Sequence, residues 1–128
     1  MPVEQMNKED FKTKIFDYEN QENWDFSGPQ PAVIDFYADW CGPCKMLSPV
    51  LEELSEDYAE RVNFYKVNID AEQELTALFG IRSVPSLLFV PVNNDPFIEQ
   101  GALPKYMLAE LINDGLLTQN NSAQEDAS

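Results

Sequence analysis

The most informative segment of the chain is Val33-Ile-Asp-Phe-Tyr-Ala-Asp-Trp-Cys-Gly-Pro-Cys-Lys45, an apolar run followed at once by a Cys-x-x-Cys motif. Cys41 and Cys44 are the only two cysteines of the chain. Two cysteines spaced in this way can close into a disulfide within a single turn at the start of a helix. Such a pair can be oxidised and reduced while the rest of the fold stays in place. The motif therefore predicts reversible thiol–disulfide exchange.

The residues around the motif predict a strand followed by a helix. Residues 32–38 form a nearly continuous apolar run, which is typical of a strand buried on both faces of a parallel or mixed sheet. From Cys44 to about Arg61 apolar residues recur at helical spacing, and acidic residues fall on the opposite side. Pro49 lies inside this pattern and predicts a kink in the helix.

The remaining chain alternates between helical and extended patterns. The predicted elements are a helix starting at Asn7–Asp10, a connection over Asn20–Pro31, a strand over Val62–Ile69, a short helix capped by Asp70 and ending at Gly80, strands over Ser86–Val92 and Pro96–Gln100, and a last helix starting at Pro104 with Met107, Leu108, Leu111 and Ile112 inward. This alternation predicts an α/β fold with helices on both faces of a sheet. We expect one domain over residues 1–117 and a flexible polar tail over residues 118–128.

Composition argues against several classes of function. Eight basic and 23 acidic residues give a net charge of −15, and such a field repels nucleic acid and anionic membranes. With two cysteines and no histidine, the chain cannot supply four nitrogen or sulfur ligands to a structural zinc ion, so we expect no metal site. No segment approaches a membrane span, and the N-terminus lacks an apolar signal region. We expect a soluble cytoplasmic protein; the alternative is the periplasm, if Met1 replaces a removed signal peptide.

The chemistry of the motif assigns different roles to its two sulfurs. The thiolate is the reactive form of cysteine, and a helix N-terminus favours it, so Cys41 is the predicted nucleophile. We expect Cys41 at the exposed lip of the turn and Cys44 more covered, one turn further in, where it resolves the mixed disulfide. Pro43 fits the first helical turn. Because Gly42 and Pro43 add neither charge nor hydrogen bond beside the sulfurs, the motif favours a reductant.

Asp35 interrupts the apolar strand six residues before Cys41. In a central strand its carboxyl group would be buried and its pKa raised, which suits a general base for Cys44. The alternative is an exposed residue on a solvated edge strand. Lys66 lies in the next predicted strand, where periodicity allows it equally to face Asp35 or to point outward.

Two further residues near the motif allow two interpretations each. Pro85 is either an ordinary residue at the entry of a strand or a cis-proline. Frequency favours the trans form, because only about 5–6% of X–Pro bonds in folded proteins are cis. Trp40 is either an exposed aromatic residue beside Cys41 or part of the core.

Taken together, these motifs resemble the thioredoxin family. Val33–Pro49 is similar to the active-site strand and helix of that family almost residue for residue. Val67–Asp70, Gly80–Ser86 and Gly101–Pro104 are similar to later family signatures, in the same order. The resemblance covers approximately Asn7–Leu117. It implies the thioredoxin fold, a central mixed β-sheet flanked by helices on both faces.

The resemblance also implies a role for each site residue. Cys41 corresponds to the nucleophile, Cys44 to the resolving thiol, Asp35 to the buried proton acceptor and Lys66 to the lysine beside that acid. Pro85 falls at the family's cis-proline position. The apolar rim that contacts extended substrate backbone corresponds to Trp40, Gly42, Pro43, Val84, Pro85, Gly101 and Ala102.

The implied activity is that of a protein-disulfide reductase and electron carrier of the thioredoxin type. We expect no bound cofactor, indirect use of NADPH through a thioredoxin reductase, disulfide-containing proteins as substrates, and a monomer. The alternatives are an exported reductase or folding factor, an oxidase of folding proteins, and a binding or chaperone module without redox turnover.

Two residues and two connections depart from the family pattern. Tyr37 stands where many members carry tryptophan, and Ser83 replaces a frequent glycine. The connections over Asn20–Pro31 and Val90–Pro96 also differ from the usual ones. Because none of these departures alters the dithiol, we expect them to affect the choice of partner rather than the activity.

Overall fold

A mixed β-sheet runs through residues 3–117, the part of the chain that the structure, a computed structural model, describes. The elements in chain order are β1 (Val3–Gln5), α1 (Lys8–Lys14), β2 (Ala32–Tyr37), α2 (Gly42–Asp57), β3 (Asn63–Asn68), α3 (Gln73–Leu78), β4 (Ser86–Val90), β5 (Phe97–Gln100), α4 (Lys105–Ile112) and a π-helical segment, Asn113–Leu117. The proposed tail over residues 118–128 lies outside the described residues.

The sheet places β2 at its centre, in the order β1-β3-β2-β4-β5. β2 pairs in parallel with β3 and antiparallel with β4, which makes the sheet mixed. A strand with neighbours on both sides and helices on both faces buries nearly all of its side chains, which explains why the run is mostly apolar. The same position puts Asp35 inside the sheet, with Lys66 and Leu87 as its Cα partners on the two neighbouring strands.

Each face of the sheet carries its own apolar core. One core joins α1 and α3 to the sheet and includes Phe11, Ile34, Phe36 and Leu75. The other joins α2 and α4 to the opposite face and includes Val33, Leu47, Leu51, Leu54, Leu108 and Ile112. Neighbouring residues of β2 thus contribute to opposite cores, as the alternation of side chains along a strand requires. The predicted α/β fold with helices on both faces is confirmed.

Some element boundaries differ from the predicted ones. The strand β1 was not predicted, because its three residues carry no apolar alternation; it forms by pairing in parallel with the edge of β3. Met107 is 38% exposed, so its inward placement was wrong; the buried positions of α4 are Leu108 and Ile112. α2 begins at Gly42 and continues through Pro49.

Asp70 does not cap α3, contrary to the prediction. The helix begins at Gln73 and has no side-chain cap. The turn before it is made by Asn68, whose side-chain oxygen accepts hydrogen bonds from the backbone N–H groups of Asp70 and Ala71 at 2.9 and 3.2 Å. The carboxylate of Asp70 is therefore free to bind elsewhere, and it does so at the site described below. No helix within residues 3–117 combines the length and the hydropathy needed to cross a bilayer.

The start of α1 is held by a reciprocal pair of hydrogen bonds between Asn7 and Asp10. The Asn7 side chain accepts from the Asp10 backbone N–H at 2.8 Å, and the Asp10 carboxylate accepts from the Asn7 backbone N–H at 3.1 Å. We predict that Asn7→Ala lowers the free energy of unfolding by about 1 kcal/mol, because the N–H group of Asp10 loses its acceptor. Denaturant melts measure this loss. Asn7→Ser, which keeps a capping oxygen, is the control, and equal losses in both variants would contradict the capping role.

Candidate active site

Cys41 is the N-cap residue of α2. Its backbone is extended, with φ −96° and ψ 110°, and its sulfur accepts a hydrogen bond from the Cys44 backbone N–H at 3.1 Å. Pro43 lies in the first turn, where its missing N–H removes no helical hydrogen bond. The arrangement directs the positive end of the helix dipole and a backbone donor at the Cys41 sulfur, and both stabilise a thiolate there.

Cys41 and Cys44 form a disulfide in this structure. Both residues are only 4% exposed, so the expected contrast between an exposed Cys41 and a covered Cys44 was wrong. They form a small apolar cluster with Ala38, against which Ile69 and Val84 pack. In the disulfide form the two cysteines are equally buried. They differ in position, because Cys41 is the N-cap residue and Cys44 lies in the first turn of α2.

Trp40 lies outside the core beside this disulfide, as one of the two interpretations proposed. Its side chain is 68% exposed. The indole Nε1–H donates a hydrogen bond to Asp70 Oδ2 at 2.9 Å. Because the Trp40 ring is largely exposed, packing does not fix its orientation, and the hydrogen bond to the Asp70 carboxylate does so instead.

The Val84–Pro85 peptide bond is cis, so the trans alternative was wrong. Gly101 N–H donates a hydrogen bond to the Pro85 carbonyl oxygen at 2.8 Å, which joins the two segments that precede β4 and follow β5. Gly101 adopts a φ of +96°, a conformation that favours glycine. Of the other predicted rim residues, Gly42, Pro43 and Ala102 are exposed and Val84 packs against the cysteine cluster.

Asp35 is buried beneath the disulfide, and the exposed-edge interpretation was wrong. It is 4% exposed, and its Oδ1 atom has no hydrogen-bond partner among the described residues. Asp35, Cys44 and Lys66 all line one cavity of about 150 Å³. Burial raises the pKa of Asp35 to about 7, against an opposing effect of the Lys66 charge. The carboxyl group can therefore hold or release a proton near neutral pH, in the same cavity as the Cys44 side chain.

The described residues also form a larger groove, away from the cysteines. This groove of about 500 Å³ lies between β1, β3 and the end of α2, and neither cysteine lines it. Within residues 3–117 no group of three or more histidine, cysteine, aspartate or glutamate side chains is placed to hold a metal ion.

Sequence reasoning missed two contacts of this site. The bond from Trp40 to Asp70 joins residues 30 positions apart, and the bond from Gly101 to Pro85 uses backbone atoms only. Neither has a sequence signal of its own. The nearest clues were the family-like signatures Val67–Asp70 and Gly101–Pro104, which contain residues of these contacts.

A mixed sheet, a cysteine pair at the start of a helix and a buried acid beside it together define a thiol–disulfide oxidoreductase. Comparison with known proteins identifies the family. The family model described as Thioredoxin matches residues 2–114. Similar proteins include the thioredoxin of Borreliella burgdorferi, 47% identical over 109 residues that cover 85% of this chain and 93% of that one. The thioredoxin of Haemophilus influenzae is 47% identical over 83 residues, 65% of this chain and 78% of that one.

A solved structure supports the fold independently. The crystal structure of chloroplastic thioredoxin z matches with a TM-score of 0.74 over 89% of this chain and 94% of that one, at 24% sequence identity. The chain belongs to the thioredoxin family. It is a protein-disulfide reductase with a redox-active cysteine pair, it requires no bound cofactor, and its partners are proteins that carry disulfides.

We predict that Asp35→Asn stabilises the protein in a pH-dependent way. Because burial raises the pKa of Asp35 from 3.8 to about 7, folding penalises the charged carboxylate. The penalty is absent below about pH 4, grows as the pH rises to about 7, and is constant above that. The variant should therefore gain on the order of 4 kcal/mol over the parent between these limits. Denaturant melts of the oxidised proteins from pH 4 to 8 measure the difference, and a difference that does not change with pH would contradict the burial.

Proposed function

We propose that Cys41 attacks the disulfide of a substrate protein and that Cys44 resolves the resulting mixed disulfide. We further propose that a thioredoxin reductase returns the two electrons from NADPH. The observation that carries the proposal is the placement of Cys41 at the N-cap of α2 while Cys44 shares a cavity with the buried Asp35. The N-cap position supports a thiolate at Cys41, and the shared cavity supports Asp35 as a proton acceptor for Cys44.

The reaction follows from these positions in two steps. The Cys41 thiolate attacks one sulfur of the substrate disulfide, a Cys41–substrate disulfide forms, and the other substrate sulfur leaves as a thiolate. Cys44 then gives its proton to the Asp35 carboxylate and attacks the Cys41 sulfur. The Cys41–Cys44 bond forms as the Cys41–substrate bond breaks and releases the second substrate sulfur as a thiolate. The two substrate thiolates take up protons from solvent, and two electrons have passed from the protein to the substrate.

The rim around the cysteines is proposed to bind the substrate backbone. Trp40, Gly42 and Pro43 are exposed beside the disulfide, and Val84 packs against it. Pro85, Gly101 and Ala102 complete the proposed surface. The hydrogen bond from Gly101 to Pro85 supports this proposal, because it keeps the two loops in one arrangement. An apolar rim of this kind suits an extended peptide segment that carries its disulfide into the site.

The proposed setting is a monomer in a reducing compartment, the cytoplasm. Net transfer of electrons to substrate disulfides requires a donor that keeps Cys41 and Cys44 reduced, and the cytosolic thiol poise provides such conditions. The periplasm is the alternative, and it would require a different electron donor. Measuring the reduction potential of the pair separates a reductant from an oxidase of folding proteins.

We predict that the protein, supplied with NADPH and a thioredoxin reductase, accelerates the reduction of insulin disulfides. Aggregation of the released insulin chains, followed by turbidity, measures the rate. The same reaction without the protein is the control, since the reductase and NADPH are then the only reductants present. A rate equal to that control, or an equal rate with a Cys41→Ser, Cys44→Ser double variant, would contradict the proposed function.

We predict opposite outcomes for the two single cysteine variants. Cys44→Ser should accumulate mixed disulfides with substrate, because Cys41 still attacks but nothing resolves the product. Cys41→Ser should neither turn over nor form such adducts. Non-reducing electrophoresis and mass spectrometry identify the adducts and the cysteine that carries them. If Cys41→Ser accumulates the adducts instead, the two roles are reversed.

A further inference from the structure

Asp35 and Lys66 are direct neighbours in the sheet but do not form an ion pair. Their Cα atoms are partners in the parallel pairing of β2 with β3, and both side chains line the cavity under the disulfide. Within residues 3–117, no ion pair is made by Lys66, and the Asp35 Oδ1 atom has no hydrogen-bond partner. The Lys66 ammonium group therefore lies near the carboxyl group without contacting it.

The Lys66 ammonium group lies against the ring of Tyr37. The Lys66 Nζ atom lies over the ring, 5.7 Å from its centre, within the distance at which a cation is attracted to an aromatic face. Tyr37 is two residues from Asp35 on β2, so both side chains point to the same face of the sheet. The ring is half-buried, which strengthens the attraction relative to an exposed pair.

The ring itself is fixed from the far side of β3. The Tyr37 hydroxyl donates a hydrogen bond to Gln5 Oε1 at 3.1 Å. Gln5 belongs to β1, and β3 lies between β1 and β2, so the Tyr37 side chain crosses β3 to reach it. The Gln5 amide also donates to the Lys66 backbone carbonyl at 3.4 Å. Gln5 thus holds both the ring and the backbone of the lysine that the ring binds.

We propose that Tyr37 is a positioning residue, whose ring holds the Lys66 ammonium group beside the Asp35 carboxyl group but out of contact with it, and that Gln5 fixes the ring. The inference rests on the role of Asp35 proposed above. A contact ion pair would stabilise the carboxylate and make it a weaker base. A lysine released into solvent would leave the carboxyl group protonated at neutral pH. The intermediate position lets Asp35 both accept a proton and release it.

Few other charges act on Asp35. The titratable and charged groups that line its cavity are Lys66 from β3, Lys45 and Cys44 from α2, Tyr37 from β2 and Asp39 from the following loop. Its neighbour on β4 is Leu87, which carries no charge. Lys66 is the charge that lowers the pKa of Asp35, against the larger effect of burial. Residues around the cavity can therefore change the pKa of Asp35 by changing the position of the Lys66 ammonium group.

The test is a titration of the Asp35 carboxyl carbon by NMR in the full-length oxidised protein, labelled with ¹³C-aspartate. Asp35→Asn identifies the resonance. Tyr37→Leu should raise the titration midpoint by about 1 pH unit, because Lys66 is released from the cavity. Lys66→Gln should raise the midpoint at least as much, and adding Tyr37→Leu to Lys66→Gln should change nothing further. A midpoint that falls or stays constant in Tyr37→Leu, or additive shifts in the double variant, would overturn the proposal.

Two milder variants test the ring and its tether separately. Tyr37→Phe keeps the aromatic face, so the Asp35 midpoint should rise only slightly above that of the parent protein. A rise as large as that of Tyr37→Leu would overturn the role of the ring. Gln5→Ala should give the same small rise as Tyr37→Phe, and the two changes together should give no more. An unchanged midpoint in Gln5→Ala would overturn the role of Gln5.

The insulin assay separates this inference from the proposed function. A rise of the midpoint by about 1 pH unit lowers the ionised fraction of Asp35 at pH 7 about fivefold. In Tyr37→Leu, resolution of the mixed disulfide at pH 7 should therefore be slower by that factor. At higher pH the rate should return to that of the parent protein. If the NMR midpoint moves while the pH profile of the rate does not, the role of Asp35 in the proposed function fails and the positioning role of Tyr37 stands.

Discussion

The proposed chemistry depends on a single carboxyl group that is buried inside the central strand of the sheet, at a cost to stability. Asp35 lies between two paired strands and beneath the disulfide, and one of its oxygens has no partner among the described residues. An unpaired buried carboxylate costs stability, so the fold tolerates it only where the surrounding apolar packing is extensive. Two separate cores on the two faces of β2 provide that packing. The burial that costs stability at Asp35 also raises its pKa to about 7, which provides a proton acceptor beside Cys44 near neutral pH.

The start of α2 supplies the second half of the chemistry. The same turn that ends β2 and begins α2 puts one sulfur at a helix N-terminus and the other one turn further in, over Asp35. Because both sulfurs and the acid are carried by one strand–turn–helix unit, their spacing is fixed by local geometry. The surrounding loops then need only to present the rim, and the bonds from Trp40 to Asp70 and from Gly101 to Pro85 hold two parts of it.

The motifs of the chain were sufficient to predict the layered fold, the cysteine pair and the burial of Asp35, because each depends on local pattern or on one strand's place in the sheet. The cis form of Pro85 needed the family resemblance, since composition alone favours trans. β1 gave no signal, because it forms only by pairing with β3. The equal burial of the two cysteines, the outward Met107 and the pairing of Asp70 with Trp40 depend on tertiary contacts that no local pattern encodes. The bonds of Tyr37 across β3 belong to the same group.

The proposed mechanism requires proton transfer from Cys44 to Asp35, and one measurement tests that step directly. A mixed disulfide is formed between Cys41 and a chromogenic thiol, and stopped-flow absorbance follows release of that thiol as Cys44 attacks. We expect a rate that rises with pH through a midpoint near the Asp35 pKa of about 7, and a slower reaction without this midpoint in Asp35→Asn. The same pH profile and the same rate in both proteins would contradict it.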